Sequence, residues 1–311
     1  MMAPTPIASI RWPDGLNVLE NEPMAAHTYF GIGGPADFFV EVGDLPQLEK
    51  LLDFCRDSGV ERTILGDGSN VLVGDRGVRG LVIRNVCRGI KPAERNGVKA
   101  ESGVLMGSLA RWCAARGLAG MEFGVGIPGT VGGSVFGNAG CFGTEVKDVL
   151  RIASVWLPDG VAELGPDRLA FGYRTSALQS TLGRSVVLAA TFGCRRGDPA
   201  AIERLMTDLS RRRRSSQPSA RSAGSVFRNP PGEVAGRLID EAGLKGRRRG
   251  GAAISEKHAN FIVNEGGATA ADVMALIGEA RDAVMARSGV MLHLEIRQLG
   301  EGFGEACEAP P

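Results

Sequence analysis

An α+β fold is predicted for this 311-residue chain, with a mixed, glycine-rich front and a smaller α+β module behind it. Three observations carry the prediction. Short β-branched runs separated by glycine turns fill much of the first two hundred residues. An amphipathic helical stripe opens near residue 198, where the composition changes. The length also exceeds one ordinary core, for which about 150 residues is usual, so two or three compact units are expected.

The elements follow in order. In DLPQLEKLLDFCRDSG, Asp44 stands at the N-cap with Gln47 three residues on, and Leu45, Leu48, Leu51, Leu52 and Cys55 share one helical stripe that Gly59 ends. RTIL at 62–65 reads as a buried strand running into the turn GDGSN, and VLVGDRGVRGLVIRN alternates short strands with glycine turns, completing a βαβ-like unit. LARWCAARG predicts a second helix and leads into GIPGTVGGSVFGNAG at 126–140. Strands then dominate, in RIASVWLP and VVLAATFG, with GYRTSAL between them. In DPAAIERLMTDLSRRRRSSQP, Asp198 caps, Pro199 takes the first helical position, Ile202, Leu205, Met206 and Leu209 form the stripe, and the arginine run closes the helix. A boundary near 205 is therefore expected. Beyond it come a helix in GEVAGRLIDEAG, strand character in HANFIVN, a helix from Thr269 to Arg287 with Asp272 completing a capping box, and MLHLEIRQL as a final strand.

Composition excludes several classes. Lys plus Arg number 36 against 35 Asp plus Glu, so no broad surface for nucleic acid is expected. Cys55, Cys87, Cys113, Cys141, Cys194 and Cys307 never occur at two-residue spacing, and a chain this long does not need disulfide staples; reduced thiols are expected. The opening MMAPTPIASIRWPDG places prolines and charges where a secretory signal needs an apolar run, and no stretch approaches the roughly 20 apolar residues of a membrane span. A cytoplasmic protein with no membrane partner is predicted. His27, His258 and His293 have no histidine or cysteine at ligand spacing, so no metal site is assigned.

The glycine segment is the chief functional signal. Gly124, Gly126 and Gly129 satisfy the dinucleotide fingerprint, but that fingerprint needs a helix opening at its end, and Pro128 with the four glycines after Gly129 speaks against a packed helix. A Walker-type loop fails because no lysine follows. What remains is a run of amide donors with the small side chains of Thr130, Ser134 and Asn138, and GDGSN is a second such turn. Two amide-rich turns suit a ligand with two linked phosphates and a planar body; a pair of tight turns joining strands is the plainer alternative.

HTYFGIGGPADFFVEV, LGDGSNVLVGDRGVRGLVIRN and GMEFGVGIPGTVGGSVFGNAGCFG, followed in order by GYRTSAL, SAGSVFRNP, AGRLIDEAGLKG, GGAAISEKHANFIVN and LEIRQLG, closely resemble the UDP-N-acetylenolpyruvoylglucosamine reductases of bacterial cell-wall synthesis over about residues 22–300. The resemblance implies a front half of the vanillyl-alcohol-oxidase type that binds FAD non-covalently, in subdomains 1–84 and 85–205, and a substrate-binding domain over 206–311. It implies NADPH as co-substrate and UDP-N-acetylglucosamine enolpyruvate as the molecule reduced. The diphosphate of FAD would lie against Gly66, Asp67, Gly68, Ser69, Asn70 and Val71, and against Gly126, Ile127, Pro128, Gly129, Thr130, Gly132, Gly133, Ser134, Asn138 and Gly140.

The same resemblance assigns three reacting residues. Arg174 in GYRTS would meet the substrate carboxylate, and Ser225 in AGSVFRNP would donate a proton to C2. Glu295 would stand beside Arg174, with Arg297 in support. The alternation of MLHLEIRQL independently puts His293, Glu295 and Arg297 on one face and Leu292, Leu294 and Ile296 on the other, a pattern that equally suits a solvated sheet face. Members of the family usually carry glutamate at the position of His293. Tyr173, Gln217 and Asn229 are further expected substrate contacts, Gln217 by proximity to a lysine position of some members. The short span after Arg174 indicates the branch without an inserted tyrosine-bearing loop. A monomer is expected. The competing readings are a sugar or alcohol oxidase on the same flavin fold and a non-catalytic sugar-nucleotide-binding protein.

Overall fold

The computed structural model describes residues 10–180, 182 and 184–304; the opening nine residues and Cys307 lie outside the described residues. The chain forms two compact units, one of Met1–Val18, Val40–Asp67 and Val82–Arg213, the other of Leu19–Phe39, Gly68–Leu81 and Arg214–Pro311. This division is not the linear one expected at 84 and 205. Phe30, Ile32 and Leu72 supply side chains to the core otherwise built from residues 223–296, so two stretches of the front belong with the rear.

In the first unit, five antiparallel strands lie in the order Gly160–Leu164, Leu150–Leu157, Val186–Gly193, Gly97–Glu101, Ile90–Ala93. The inward residues Val98, Ala100, Ala153, Val155, Val187 and Phe192 meet Leu109 and Cys113 of the helix Met106–Ala114. The helix Leu45–Ser58 forms as its sequence predicts: the Asp44 carboxylate accepts the Gln47 N–H, Leu48, Leu51, Leu52 and Cys55 are buried, and Gly59 closes at φ 71°.

Two expectations are corrected here. A short helix, Val131–Phe136, does open after Gly129, with the Thr130 hydroxyl accepting the Gly133 N–H. Its glycines are compatible with packing because Val131 and Val135 provide the apolar contacts, while Gly132 comes so close to Ser102 that a Cβ would sit 2.9 Å from the serine Cβ. The helix Pro199–Ser216 carries the arginine run at its C-terminal end, as expected, but crosses the expected boundary at 205. Ile202 and Met206 are buried against the small residues Ala110, Ala114 and Ala119, and Leu209 is buried as well, whereas Leu205 is 47% exposed at the edge of this narrow stripe.

In the second unit, Leu19–Pro23 pairs antiparallel with the start of Pro35–Val42, Val71–Val73 pairs parallel with Arg297–Leu299, and Arg248–Arg249, Ala252–Ile254 and Ile262–Asn264 form a small antiparallel sheet. The helix Ala270–Ser288 carries the expected Thr269–Asp272 capping box and ends at Gly289, φ 69°. Asp75 adds a second cap, its carboxylate accepting the N–H groups of Ala270 at 2.7 Å and Ala271 at 3.0 Å. MLHLEIRQL is less regular than its alternation predicts. Only Arg297–Leu299 joins a ladder, and Leu294 makes an isolated bridge to Phe227.

No helix among the described residues is long and apolar enough to cross a membrane. Cys55, Cys87, Cys113, Cys141 and Cys194 carry free thiols.

Candidate active site

Gly66, at the start of one glycine turn, and Thr130, in the other glycine segment, are in contact within the first unit. A Cβ on Gly66 would lie 2.6 Å from the Thr130 Oγ1. At several of these positions, then, glycine is needed for the protein's own packing: a Cβ on Gly68 would lie 2.1 Å from the His27 carbonyl oxygen, and one on Gly126 would meet the Cys141 Sγ at 2.7 Å. The sequence reading attributed their glycine content to close approach by a ligand; much of it answers to close approach by neighbouring chain.

Hydrogen bonding narrows the donors further. The N–H groups of Ile127, Val131, Gly132 and Ser134 donate to the carbonyls of Gly124, Val104, Ser102 and Thr130, and Gly133 donates to the Thr130 hydroxyl. Thr130 bridges Leu105 in the pattern where the flanking residues exchange the bonds, Met106 to Gly129 and Val131 to Val104, so the Thr130 N–H points away from that pair. Asn138 is corrected as an anion ligand. It is fully buried at φ 44°, its Nδ2 donates to the Gly172 carbonyl at 2.8 Å and the Glu145 carboxylate at 3.0 Å, and its Oδ1 accepts the Lys147 N–H. It braces the glycine segment to the corner that carries Tyr173 and Arg174.

That corner brings cationic chemistry to the segment. Arg174 has φ 57°, a left-handed conformation costing a non-glycine residue about 1 kcal/mol or more, and its Nη2 donates to the Gly140 carbonyl at 3.0 Å. Its guanidinium carbon lies 5.2 Å from the ring centre of Tyr173, which is 46% exposed. From the other side Arg213 donates to the Gly126 carbonyl. Burial pushes the Cys141 thiol up to about 11, and the positive charges of Arg213 and Arg174 oppose that shift. Two guanidinium groups, those of Arg174 and Arg213, thus lie on the glycine segment, a positive charge that fits the diphosphate of FAD.

In the second unit, the sequence positions of Ser225 and Glu295 are brought together. Val226 accepts the N–H of Glu295 at 2.8 Å and of Ile296 at 3.4 Å, while Arg228 donates to the His293 carbonyl at 2.9 Å. Two successive donors on one carbonyl mark a β-bulge, which re-aims the side chains at Glu295 and Ile296. The turn residue Asn70 joins the same place: its Nδ2 donates to the Glu295 carbonyl at 3.1 Å, and its own carbonyl accepts the Arg297 N–H at 3.0 Å. Val71 continues this as the first residue of the parallel ladder with Arg297. Burial, and after it the charge of Arg228, lower the basicity of Arg297.

The remaining predicted contacts are placed as follows. Asn229 accepts the Ala235 N–H with its Oδ1 at 3.0 Å, and Gln217 has a buried Oε1 with no hydrogen-bond partner. Sequence reasoning missed Asn260. Only 4% exposed, it accepts the Val226 N–H with its carbonyl and the Phe227 N–H with Oδ1, and returns Nδ2 to the Phe227 carbonyl at 2.8 Å. Its sole signal was its place in HANFIVN. No cluster of three or more metal-ligating side chains occurs among the described residues.

Residues 36–165 match the family model of an FAD binding domain, and residues 217–299 match that of the UDP-N-acetylenolpyruvoylglucosamine reductase C-terminal domain. With the site just described, this defines the chain as an FAD-dependent oxidoreductase. UDP-N-acetylenolpyruvoylglucosamine reductase 2 of Symbiobacterium thermophilum is 45% identical over 282 residues, covering 90% of this chain and 91% of its own. The reductase of Rubrobacter xylanophilus is 43% identical over 283 residues, covering 90% and 95%. The crystal structure of the reductase from Thermus caldophilus superposes with TM-score 0.78 at 35% identity, covering 91% of this chain and 98% of that one. The chain belongs to the UDP-N-acetylenolpyruvoylglucosamine reductase family.

Proposed function

We propose that this chain reduces UDP-N-acetylglucosamine enolpyruvate to UDP-N-acetylmuramate for peptidoglycan synthesis, with NADPH as the electron source, as a monomer in the cytoplasm. The observation that carries the reading is the Val226–Glu295 hydrogen bond, which holds the strand positions of a serine and a glutamate together in a family of FAD-dependent reductases. FAD, held in this reading by the turns at 66–71 and 126–140, would supply two-electron hydride chemistry between NADPH and C3 of the enolpyruvyl ether.

The protein's own task is electrostatic. Hydride addition to an acrylate that is already anionic drives further negative charge onto the carboxylate, so preorganised donors there lower the barrier. The planar fork of Arg174 suits a carboxylate. In this reading Ser225 gives its hydroxyl proton to C2. An alcohol is a weak acid and serves only against a strongly basic carbon and where the alkoxide left behind is stabilised. Glu295 supports the same end of the substrate. In this reading NADPH and the sugar nucleotide occupy one place in turn.

The test is anaerobic. NADPH should bleach the yellow holoenzyme, and the enolpyruvyl nucleotide should then restore absorbance near about 450 nm. Recovery with oxygen but not with the enolpyruvyl nucleotide would replace this reading by an oxidase; absence of bleaching would leave a binding protein.

A further inference from the structure

We propose that Gln179 is a positioning residue for Arg174, an inference that rests on the reductase reading above. Within the first unit Gly172 and Thr175 exchange both backbone hydrogen bonds, the Gly172 N–H to the Thr175 carbonyl at 3.1 Å and the Thr175 N–H to the Gly172 carbonyl at 3.3 Å. Tyr173 and Arg174 therefore stand at the tip of a two-residue turn. Arg174 takes the second tip position at φ 57°, whereas Tyr173 keeps a negative φ. A turn with a left-handed residue there ordinarily takes glycine or asparagine. An arginine persists in that conformation only where its surroundings over-determine it.

Gln179 supplies one such constraint, on the backbone of Arg174 itself. It ends the short 3₁₀ turn Ala177–Gln179 just beyond the tip, and its Nε2 donates to the Arg174 carbonyl at 3.2 Å and to the Phe136 carbonyl at 2.9 Å. Both partners are acceptors, so the side-chain amide must turn its NH₂ toward them. Phe136 is the last residue of the helix Val131–Phe136, where carbonyls have no partner within the helix, and the Ser176 hydroxyl donates to the same oxygen at 2.7 Å. Gln179 thus ties the main chain of Arg174 to the end of the glycine helix, while the Arg174 Nη2 reaches the Gly140 carbonyl further along that segment.

The role asked of Arg174 depends on aim. A guanidinium that meets a carboxylate through two parallel hydrogen bonds tolerates little displacement. Releasing the Arg174 carbonyl lets the residue relax out of the left-handed region and carries the guanidinium with it, and a misplacement of about 1 Å can cost about 100-fold in rate.

The experiment follows the two half-reactions of the holoenzyme by anaerobic stopped flow. Gln179→Met keeps the length of the side chain and removes both donated bonds. It should slow flavin reoxidation by the enolpyruvyl nucleotide by about 10- to 100-fold and leave flavin reduction by NADPH near the wild-type rate. Ser176→Ala, which takes one bond from Phe136 and none from Arg174, should reoxidise like wild type. In an Arg174→Ala background Gln179→Met should slow reoxidation no further. Wild-type reoxidation in Gln179→Met, equal slowing of both half-reactions, an equal loss in Ser176→Ala, or a further loss on top of Arg174→Ala overturns the role of Gln179 alone. Arg174→Ala reoxidising at the wild-type rate overturns the reading of Arg174 and this proposal with it, and a wild-type holoenzyme that the enolpyruvyl nucleotide does not reoxidise overturns the reductase reading itself. Should Gln179→Met lose its flavin, Gln179→Asn, which draws the amide back by one methylene, decides on the same measurement: selective slowing of reoxidation supports the assignment and any other result overturns it.

Discussion

Asn70 and Glu295 are joined by a side-chain hydrogen bond, Asn70 Nδ2 to the Glu295 carbonyl at 3.1 Å, although 225 positions separate them in sequence. The backbone of Asn70 closes the loop by accepting the Arg297 N–H. The glycine turn expected to meet the cofactor thus also fixes the strand that carries a proposed reacting carboxylate. Asn70→Ala removes the side-chain half of this link. It is expected to destabilise the protein by about 1 kcal/mol and to slow flavin reoxidation by the enolpyruvyl nucleotide more than flavin reduction by NADPH. Paired stopped-flow measurements of the two half-reactions check this; equal slowing would assign Asn70 to the cofactor alone.

Ser225→Ala tests the proton donor. Reduction of the flavin by NADPH should remain near the wild-type rate, while reoxidation by the enolpyruvyl nucleotide should fall by about 10²-fold or more, the usual scale of general acid catalysis. Equal loss in both half-reactions would remove the serine from that role.

Asn260→Ala should be the most destabilising of the substitutions considered. It strands the N–H and C=O of Phe227, which is itself 2% exposed, and each buried unsatisfied group costs about 1–3 kcal/mol. A lowered urea midpoint with unchanged slope is the expected signature. A variant as stable as wild type would show that water or a backbone shift replaces both bonds.

Acid should weaken the second unit through His258. Burial, and to a lesser extent the charge of Lys245, depress its basicity below the ordinary value of 6.5, while its own backbone partly opposes them; its Nδ1 accepts the Asn260 N–H at 3.2 Å. Because the folded state binds the proton less readily than the unfolded chain, stability is full above pH 6.5 and declines as pH falls through and below that value. Urea midpoints measured from pH 7.5 down to 5.5 should drop more steeply in wild type than in His258→Asn. Parallel pH dependence in the two proteins would refute the linkage.

Much of the local structure was legible because it depends on near neighbours in sequence. Asp44 with Gln47, the stripe through Cys55, and Thr269 with Asp272 all act within one or two helical turns. Leu205 and the helix at Val131 were misread because their fates are set by what packs against them: small alanines leave Leu205 uncovered, and core contacts through Val131 and Val135 outweigh the low helix propensity of Gly132 and Gly133. The positions of Ser225, Glu295 and Arg174 came from resemblance, and no periodicity identifies them. Asn260 and the bracing role of Asn138 were illegible for the same reason, since their partners lie 33 and 34 residues away.

The strand Pro35–Val42 passes from one compact unit into the other at Phe39 and Val40, and the residues before that point share a core with Val226, Leu276 and Ile296. During biosynthesis Phe30 and Ile32 therefore leave the ribosome long before their packing partners exist. At ordinary elongation rates of about 5–20 residues per second, that interval is roughly 15 to 50 s. Until those partners emerge, Phe30 and Ile32 expose to water apolar side chains that the finished fold buries.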